Sequence, residues 1–274
     1  GLAFLGHKKA SIFVDGRYST QVKKQTNNKI YNYEHLMKPG FLNWLKDNPF
    51  NVNRVGLDPK TISYSNYLTI KKLCSKQGIE LTETKNLIDQ IWKRRKNIKS
   101  SAKKQEIKFA GVKSKSKIDQ ILKIIKRNNA EALFIPQPEN VCWTLNIRGE
   151  DLEHTPILRG CLLIDKSKTL MLFSDSITNH SQLKSWLGKN IDVYKTKEFE
   201  NVIKRQNYQK IQFDPNYTTQ SQASSLIKYS NSFICLSDPI TLMKACKNNA
   251  EINGSRKAHL CLLYTSPSPR DMPR

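Results

Sequence analysis

Two short segments of the sequence place polar side chains where a ligand could bind. Arg17 follows an apolar run and lies just beyond a predicted strand, where α/β sheets tend to hold their ligands. Asn146 and Arg148 follow Trp143 in a second such position. A structural interpretation is also open, in which Asp15 caps a helix and Trp143 packs in a core ahead of a solvated loop. The residue types alone favour that interpretation.

Sequence signatures of catalysis do not occur in the chain. It contains no glycine-rich nucleotide-binding loop, no His-Glu-x-x-His motif and no Gly-x-Ser-x-Gly motif. Adjacent carboxylates such as Glu150 and Asp151 would face different ways on a strand. The histidines lack the spacing of metal ligands and are expected at the surface or in packing: His7, His35, His154, His180 and His259.

The charge of the chain is unusually high. Its 274 residues include 46 Lys and Arg against 23 Asp and Glu, a formal net charge of +23. Such a charge suggests nucleic acid or an anionic membrane surface as a partner. However, 35 of the 46 basic residues are Lys, and Lys, Asn and Ile share A/T-rich codons, so an A/T-rich genome explains the excess equally well.

About half of the net charge lies in one stretch. Residues 93–127 contain 14 basic residues and two acids, with few aromatic side chains on which bases could stack. A solvated, lysine-rich linker is the favoured interpretation. A stand-alone nucleic-acid-binding module that uses residues 93–127 is the alternative, and it would bind in a strongly salt-dependent way.

Length and hydropathy limit the chain to the globular class. It is long enough for one large or two ordinary domains, and 38% hydrophobic residues are too many for overall disorder. No apolar run approaches the ~20 residues of a membrane helix. Six cysteines without paired spacing predict reduced, mostly buried thiols in a cytoplasmic protein.

Alternating strand and helix signals predict an α/β fold. Strands are predicted at residues 10–14, 52–57, 79–82, 132–135, 159–165 and 169–174, the last two as a hairpin. The apolar stripe of Ile118, Ile121, Leu122 and Ile125 predicts an amphipathic helix. Asp58 and Pro59 are predicted to start another helix, with Asp58 as its cap.

The order of the elements indicates an internal duplication. Val55-Gly-Leu-Asp-Pro59 and Ile211-Gln-Phe-Asp-Pro215 repeat one strand-to-helix signal 156 residues apart. Phe13-Val-Asp15 and Phe173-Ser-Asp175 lie 160 residues apart in the same order. Two pairs at nearly one offset favour two similar α/β domains, with a boundary near residues 93–103.

Several segments, in this order and spacing, form a specific combination: Phe-Val-Asp-Gly-Arg-Tyr at 13–18, Val-Gly-Leu-Asp-Pro at 55–59, Asn-Leu-Ile-Asp-Gln-Ile-Trp at 86–92, Trp-x-x-Asn-x-Arg-Gly-x-Asp-x-Glu-His-x-Pro at 143–156, Lys-Ala-x-Lys-Asn at 244–248, then Glu251, Gly254 and Arg-Lys-Ala-His at 256–259. The combination resembles the Xaa-Pro aminopeptidases (aminopeptidase P), in their long, three-domain, cytosolic form. The resemblance runs through residues 1–260.

This resemblance implies a fold and an activity. The fold class is α/β, with two tandem creatinase-like N-terminal domains, each a mixed β-sheet flanked by helices. In the family they precede a catalytic pita-bread domain, which is expected to be absent here. That domain holds two divalent metal ions, usually manganese, and a metal-bound hydroxide attacks the peptide bond before a penultimate proline. This fragment is expected to hold no metal and to be inactive. A prolidase or another creatinase-related hydrolase is a further alternative, although prolidases typically carry one such domain.

The resemblance also implies roles for individual residues. The Arg of the Asp-Gly-Arg-Tyr motif contacts bound peptide in the family, which gives Arg17 that role, and a guanidinium suits a peptide carbonyl or carboxylate. Asn146, Arg148 and Asp151 lie in a loop that resembles the one facing the catalytic domain and are further substrate-binding candidates. The expected partners are peptides with a penultimate proline and a second copy in a homodimer; a membrane or nucleic acid is not expected.

The expected domains are residues 1–99, clipped at the start, residues 100–247, and residues 248–260 as the first helix of the catalytic domain. The clipped first domain is expected to expose an unpaired strand edge. Cys261 to Asp271 match the translation of a transposase-type sequencing adapter. Residues 261–274 are therefore expected to be an artefact and to be disordered.

Overall fold

The chain divides into two compact units in a computed structural model that describes residues 1–92 and 101–265. Unit 1 is Gly1–Ile91 and unit 2 is Trp92–Arg274. The division falls beside the predicted boundary. Residues 93–100, which carry part of the predicted basic linker, lie outside the described residues.

Unit 1 arranges its strands in two sheets. Strands β1, β2 and β3 form one sheet, in which β2 pairs antiparallel with β1 and parallel with β3, while β4 and β5 form a separate parallel pair. The strands are β1 Leu2–Leu5, β2 Ala10–Val14, β3 Tyr31–His35, β4 Arg54–Leu57 and β5 Glu80–Glu83. The helices are α1 Ser19–Gln25, α2 Phe41–Asp47, α3 Tyr64–Lys76 and α4 Leu87–Ile91.

Aromatic rings form the centre of unit 1. The Phe13 side chain is fully buried, and its ring packs edge-on against Phe41 and Trp44 at centroid distances of 5.4 and 5.3 Å. Ile70 and Cys74, four residues apart on α3, cover the same core. The buried ring of Phe13 thus anchors the end of β2, from which the turn that holds Arg17 begins.

Unit 2 contains a six-stranded mixed sheet in the order β11-β10-β9-β7-β12-β13. Its strands are β7 Ala132–Ile135, β9 Cys161–Asp165, β10 Leu170–Phe173, β11 Ile191–Tyr194, β12 Tyr208–Phe213 and β13 Ser230–Cys235, and a small antiparallel pair is formed by β6 Lys103–Lys104 and β8 Ile147–Arg148. The helices are α5 Ile107–Ala110, α6 Ser114–Arg127, α7 Pro138–Leu145, α8 His180–Leu187, α9 Phe199–Gln206, α10 Gln220–Lys228, α11 Pro239–Ala245 and α12 Asn249–Thr265.

The centre of this sheet is buried on both faces. Every residue of β7, β9 and β10 is buried, which explains why these strands are continuous apolar runs instead of alternating patterns. The predicted hairpin is confirmed, because β9 and β10 pair antiparallel around residues 166–168. The predicted amphipathic helix is confirmed as α6, with Ile121 and Ile125 in the core.

The repeated Asp-Pro signals do not start helices. The Asp58 carboxylate accepts a hydrogen bond from Lys60 N, and Asp214 accepts one from Asn216 N, so each Asp closes a tight turn. Helix α3 begins at Tyr64, six residues after Asp58, with Ser63 as its N-cap, and α10 begins after its N-cap Thr219. The prediction of Asp58 as a helix cap was wrong, but turn and cap recur at the same offset of 156 residues, which supports the duplication.

Two other expectations need correction. Helix α12 continues through Cys261–Thr265, so the predicted disorder is wrong for these residues. The reason is local, because none of the five residues breaks a helix and the first proline of the 261–274 segment is Pro267. Residues 266–274 lie outside the described residues. Only half of the cysteines are buried, namely Cys74, Cys142 and Cys161.

Gly149 lies where two backbone segments touch. A Cβ built there would be 2.6 Å from the Cα atom and 2.7 Å from the N atom of Leu158. We therefore expect Gly149→Ala to lower the free energy of unfolding by about 1–3 kcal/mol. Gly254 in α12 has open space, so Gly254→Ala is the control and should be neutral or stabilising by up to ~1 kcal/mol. Urea denaturation would measure both, and equal effects would contradict this packing.

Candidate functional site

Arg17 is held by the residue that caps its own turn. A one-turn 3-10 helix, Gly16–Tyr18, follows β2, and Asp15 caps it. The Asp15 carboxylate accepts hydrogen bonds from Arg17 N at 3.0 Å and from Arg17 Nε at 2.8 Å, and these bonds lower the pKa of Asp15. The Arg17 side chain is 81% exposed. The structural role of Asp15 as a cap and a ligand-binding role of Arg17 are therefore compatible with each other. The cap holds Nε and leaves the rest of the guanidinium at the surface.

Asn146 does not follow a strand, contrary to prediction. It follows helix α7 as a left-handed C-cap with φ 51°, a conformation that asparagine tolerates better than most residues. Its side chain is buried, where Oδ1 accepts from Lys117 Nζ at 2.7 Å and Nδ2 donates to the Val112 carbonyl at 2.8 Å. Asn146 therefore joins α6, α7 and the segment before α6.

Lys117 is the unexpected member of this region. It is only 2% exposed, and Nζ donates to the Trp143 carbonyl at 2.8 Å and lies 3.9 Å from the centroid of the Trp143 ring. Burial lowers the pKa of Lys117 to about 8, although the negative charge of Glu251 opposes this shift. One signal could have identified it, because Lys117 lies four residues before Ile121 on the buried face of α6.

The indole of Trp143 connects this cluster to α12. Trp143 Nε1 donates to Glu251 Oε1 at 3.0 Å, and the other Glu251 oxygen accepts from Asn248 N at 3.0 Å. Asn248 also accepts from Glu251 N and donates to the Ala110 carbonyl. We call Lys117, Trp143, Asn146, Asn248 and Glu251 the Lys117 cluster.

Asp151 fastens the loop that follows β8. Only 2% of it is exposed, and its Oδ2 atom accepts from Arg159 N at 2.7 Å and from the Ser176 hydroxyl at 2.6 Å. Its neighbour Glu150 points outward and pairs with Lys103, so the two carboxylates face different ways, as predicted. At the apex, Glu153 and His154 are 89% and 90% exposed.

The predicted site residues have different surroundings. Asn146 and Asp151 are committed to internal hydrogen bonds, and Arg148 is half-buried, with Nη1 donating to the Ile147 carbonyl at 2.9 Å. These three lie along one loop region of unit 2, whereas Arg17 belongs to unit 1. In chemical terms, Asn146 and Asp151 can hold their part of the chain in place, and Arg17 can offer an exposed guanidinium to a ligand. Both are properties of a binding site.

Metal binding has no support among residues 1–92 and 101–265. No three His, Cys, Asp or Glu side chains converge there as a metal ion would require, so the residues present do not fit a two-metal centre.

Among residues 1–92 and 101–265, no helix combines the length and hydrophobicity needed to cross a membrane. The prediction of a solvated linker was wrong for residues 103–127, which form β6, α5 and α6 and pack Ile121 and Ile125 into the core of unit 2. Of the basic residues in this stretch, Lys117 is buried and Lys103 and Lys108 pair with acids.

Comparison with protein families gives two consecutive matches. Residues 1–91 and residues 93–251 each match a model described as creatinase/prolidase N-terminal domain. The two matched ranges correspond to the two structural units. This agrees with the predicted duplication.

Curated relatives match along nearly the whole chain. Xaa-Pro aminopeptidase 1 of Dictyostelium discoideum is 28% identical over 268 residues, covering 91% of this chain and 41% of its own length. Aminopeptidase P2 of Arabidopsis thaliana is 25% identical over 295 residues, covering 95% and 42%. The chain thus spans less than half the length of the curated relatives it matches.

A solved structure has the same fold over most of the chain. The crystal structure of X-prolyl aminopeptidase from Caenorhabditis elegans, described as a cytosolic enzyme with a di-nuclear active site, matches with a TM-score of 0.81 at 20% identity. The match covers 93% of this chain and 43% of that one. The chain therefore belongs to the creatinase/prolidase N-terminal domain family, with two tandem domains and the sequence similarity of an aminopeptidase P family member.

Proposed function

We propose that this chain is the non-catalytic N-terminal part of a metal-dependent Xaa-Pro aminopeptidase, an enzyme that removes the residue before a penultimate proline. The observation that carries the proposal is the end-to-end match of both units to proteins of that name. The divalent metal ions, with manganese as the expected ion, would be bound by a separate catalytic domain. A cytoplasmic location and a homodimer are parts of the same proposal.

In this proposal unit 1 contributes to substrate access through Arg17. Its Nε atom is fixed by Asp15, which reduces the freedom that a long side chain loses on binding. The exposed Nη groups can then donate to a carbonyl or carboxylate oxygen of a peptide. Asn146 and Asp151 would act indirectly, by fixing the chain on either side of β8, the strand that carries Arg148.

Unit 2 would support the catalytic domain through the Lys117 cluster. Helix α12 begins at Asn249, and Glu251 near its start is bound by Trp143 and Asn248. If α12 is the first helix of the catalytic domain, these bonds set the direction in which that domain leaves unit 2. The negative charge of Glu251 favours the charged form of Lys117, so the start of α12 and the buried ammonium are electrostatically matched.

The first prediction concerns activity of the isolated chain. We expect purified residues 1–274 to release no N-terminal residue from an X-Pro peptide in the presence of Mn²⁺, because the described residues do not form a two-metal centre. Mass spectrometry of the peptide would measure cleavage, with the full-length enzyme as positive control. Manganese-dependent release by the isolated chain would contradict the proposal.

The second prediction concerns Arg17 in the full-length enzyme. Arg17→Ala should lower kcat/KM about tenfold, or ~1.4 kcal/mol of binding energy, and Arg17→Lys should recover part of it. Arg54→Ala is the matched control, because Arg54 also binds an exposed carboxylate through Nε, at 2.7 Å, in unit 1. Steady-state kinetics on an X-Pro peptide would measure the effect. Equal losses for Arg17→Ala and Arg54→Ala would remove Arg17 from substrate binding.

The third prediction concerns the pH dependence of stability. The pKa of Lys117 is about 8 in the folded state, below its ordinary 10.5, so the unfolded chain binds more protons between these values. The free energy of unfolding should therefore rise with pH through this window, relative to the Lys117→Met variant, which lacks the titration. Lys115→Met, at an exposed position of the same helix, should retain the wild-type profile. Urea denaturation at pH 7 and 9.5 would measure it, and parallel profiles for wild type and Lys117→Met would contradict the assignment.

A further inference from the structure

A histidine lies beside the turn that holds Arg17, at one edge of the first sheet of unit 1. Strands β2 and β3 run parallel, and Val14 at the end of β2 is the partner of His35 at the end of β3. The carboxyl ends of parallel strands meet at the same edge, where α/β proteins tend to bind their ligands. The Asp15 carboxylate lies near both side chains, since hydrogen bonds from Arg17 and the charge of His35 lower its pKa.

The His35 ring has a fixed orientation. Its Nδ1 atom accepts hydrogen bonds from Met37 N and Lys38 N, each at 3.1 Å, so His35 caps the turn that follows β3. Because Nδ1 accepts these bonds, it carries no proton, and the N–H group of the neutral imidazole is at Nε2. A Cβ built on Gly16 would lie 3.5 Å from Nε2, which places this nitrogen at the turn that holds Arg17.

Two side chains at this edge have N–H groups to donate. His35 is exposed, and its Nε2 atom has no acceptor in the part of the chain that the structure describes. Arg17 donates to Asp15 through its N and Nε atoms, and its Nη groups are exposed. An imidazole donor and a guanidinium donor are therefore both open to a ligand.

The duplication supplies a comparison for this edge. When β2 and β3 are aligned with β10 and β11 through the repeated Phe-x-Asp signal, Asp175 is the equivalent of Asp15. In the same alignment Lys195 is the equivalent of His35. The Asp175 carboxylate accepts from Thr196 N at 3.0 Å and from the Thr196 hydroxyl, and Lys195 Nζ donates to the Asp175 carbonyl at 3.3 Å. Unit 2 thus closes this edge with its own side chains, whereas the His35 donor in unit 1 stays open.

The cap alone does not account for a histidine at position 35. A smaller side chain such as asparagine can accept from the same backbone N–H groups, and it is among the preferred caps. Only the imidazole adds a second nitrogen, and the cap bonds hold that nitrogen beside Gly16. The additional donor therefore needs an explanation of its own.

We propose that His35 is a second substrate-contacting residue, whose Nε2–H group donates to the same peptide carbonyl or carboxylate group as the Arg17 guanidinium. This inference rests on the proposed function, because it extends the binding role of Arg17. One such group can accept from both donors, since a carbonyl oxygen has two lone pairs and a carboxylate has about four acceptor positions. Donors held by two different strands also fix the direction of the acceptor, so His35 would contribute to specificity.

Two substitutions separate the cap from the donor. His35→Asn keeps an acceptor near the position of Nδ1 and removes the Nε2 donor, whereas His35→Gln places an amide nitrogen near Nε2 and loses the cap. In the full-length enzyme we expect His35→Asn to lower kcat/KM about fivefold, the loss typical of one hydrogen bond, and His35→Gln to lower it less than about twofold. Urea denaturation should give the reverse order, with His35→Gln the less stable variant. His7→Asn, at another exposed histidine of unit 1, is the control and should leave kcat/KM unchanged.

Two substrates distinguish the two sources of the acceptor, namely the peptide Ala-Pro-Ala-Ala as the free acid and as the C-terminal amide. A loss with the free acid alone identifies the terminal carboxylate as the acceptor, and equal losses with both identify a peptide carbonyl. An unchanged kcat/KM of His35→Asn with both peptides, or equal losses for His35→Asn and His7→Asn, would overturn the inference and leave the proposed function intact. If the wild-type enzyme cleaves neither peptide, the proposed function fails and the inference fails with it.

Discussion

A buried strand must have both of its edges paired, and the fold of this chain depends on that requirement. In unit 2, β7, whose four side chains are all buried, meets it by pairing with β9 on one edge and with β12 on the other. In the order of the sheet, β7 lies between the hairpin of β9 and β10 and the parallel pair of β12 and β13. The remaining elements of unit 2 pack on a sheet whose continuity this strand provides.

A second constraint acts at the start of α12. An ammonium in the core is costly unless its donors have partners, and Lys117 obtains them from the Trp143 carbonyl, the Trp143 ring and Asn146. This requirement fixes the left-handed turn at Asn146, where the side chain must reach back to α6. The indole of Trp143 also donates to Glu251, so Trp143 links the turn at Asn146 to the start of α12.

Local signals in the sequence predicted the parts of the fold that depend on neighbouring residues. The hairpin and β7 follow from continuous apolar runs, α6 follows from apolar periodicity, and the Asp15 cap follows from residue type. The starts of α3 and α10 could not be predicted in that way, because Asp-Pro suits a tight turn as well as a helix cap, and only the positions of Ser63 and Thr219 distinguish the two. Asn146 was misplaced for a related reason, since an apolar segment around Trp143 is compatible with either a strand or a buried helix. The link between Lys117 and Glu251 spans 134 residues, and no local pattern encodes it.

The two predicted arginines differ in a way that bears on their roles. Arg148 is half-buried, and its Nη1 atom donates to the carbonyl of its neighbour Ile147 within β8. Arg17 is bound at Nε by an acid two residues earlier, its guanidinium lies 5.9 Å from the centroid of the Tyr18 ring, and its side chain is largely exposed. An exposed pair of this kind adds little to stability. Folding therefore gains little from Arg17, which is compatible with the ligand-binding role that we propose for it.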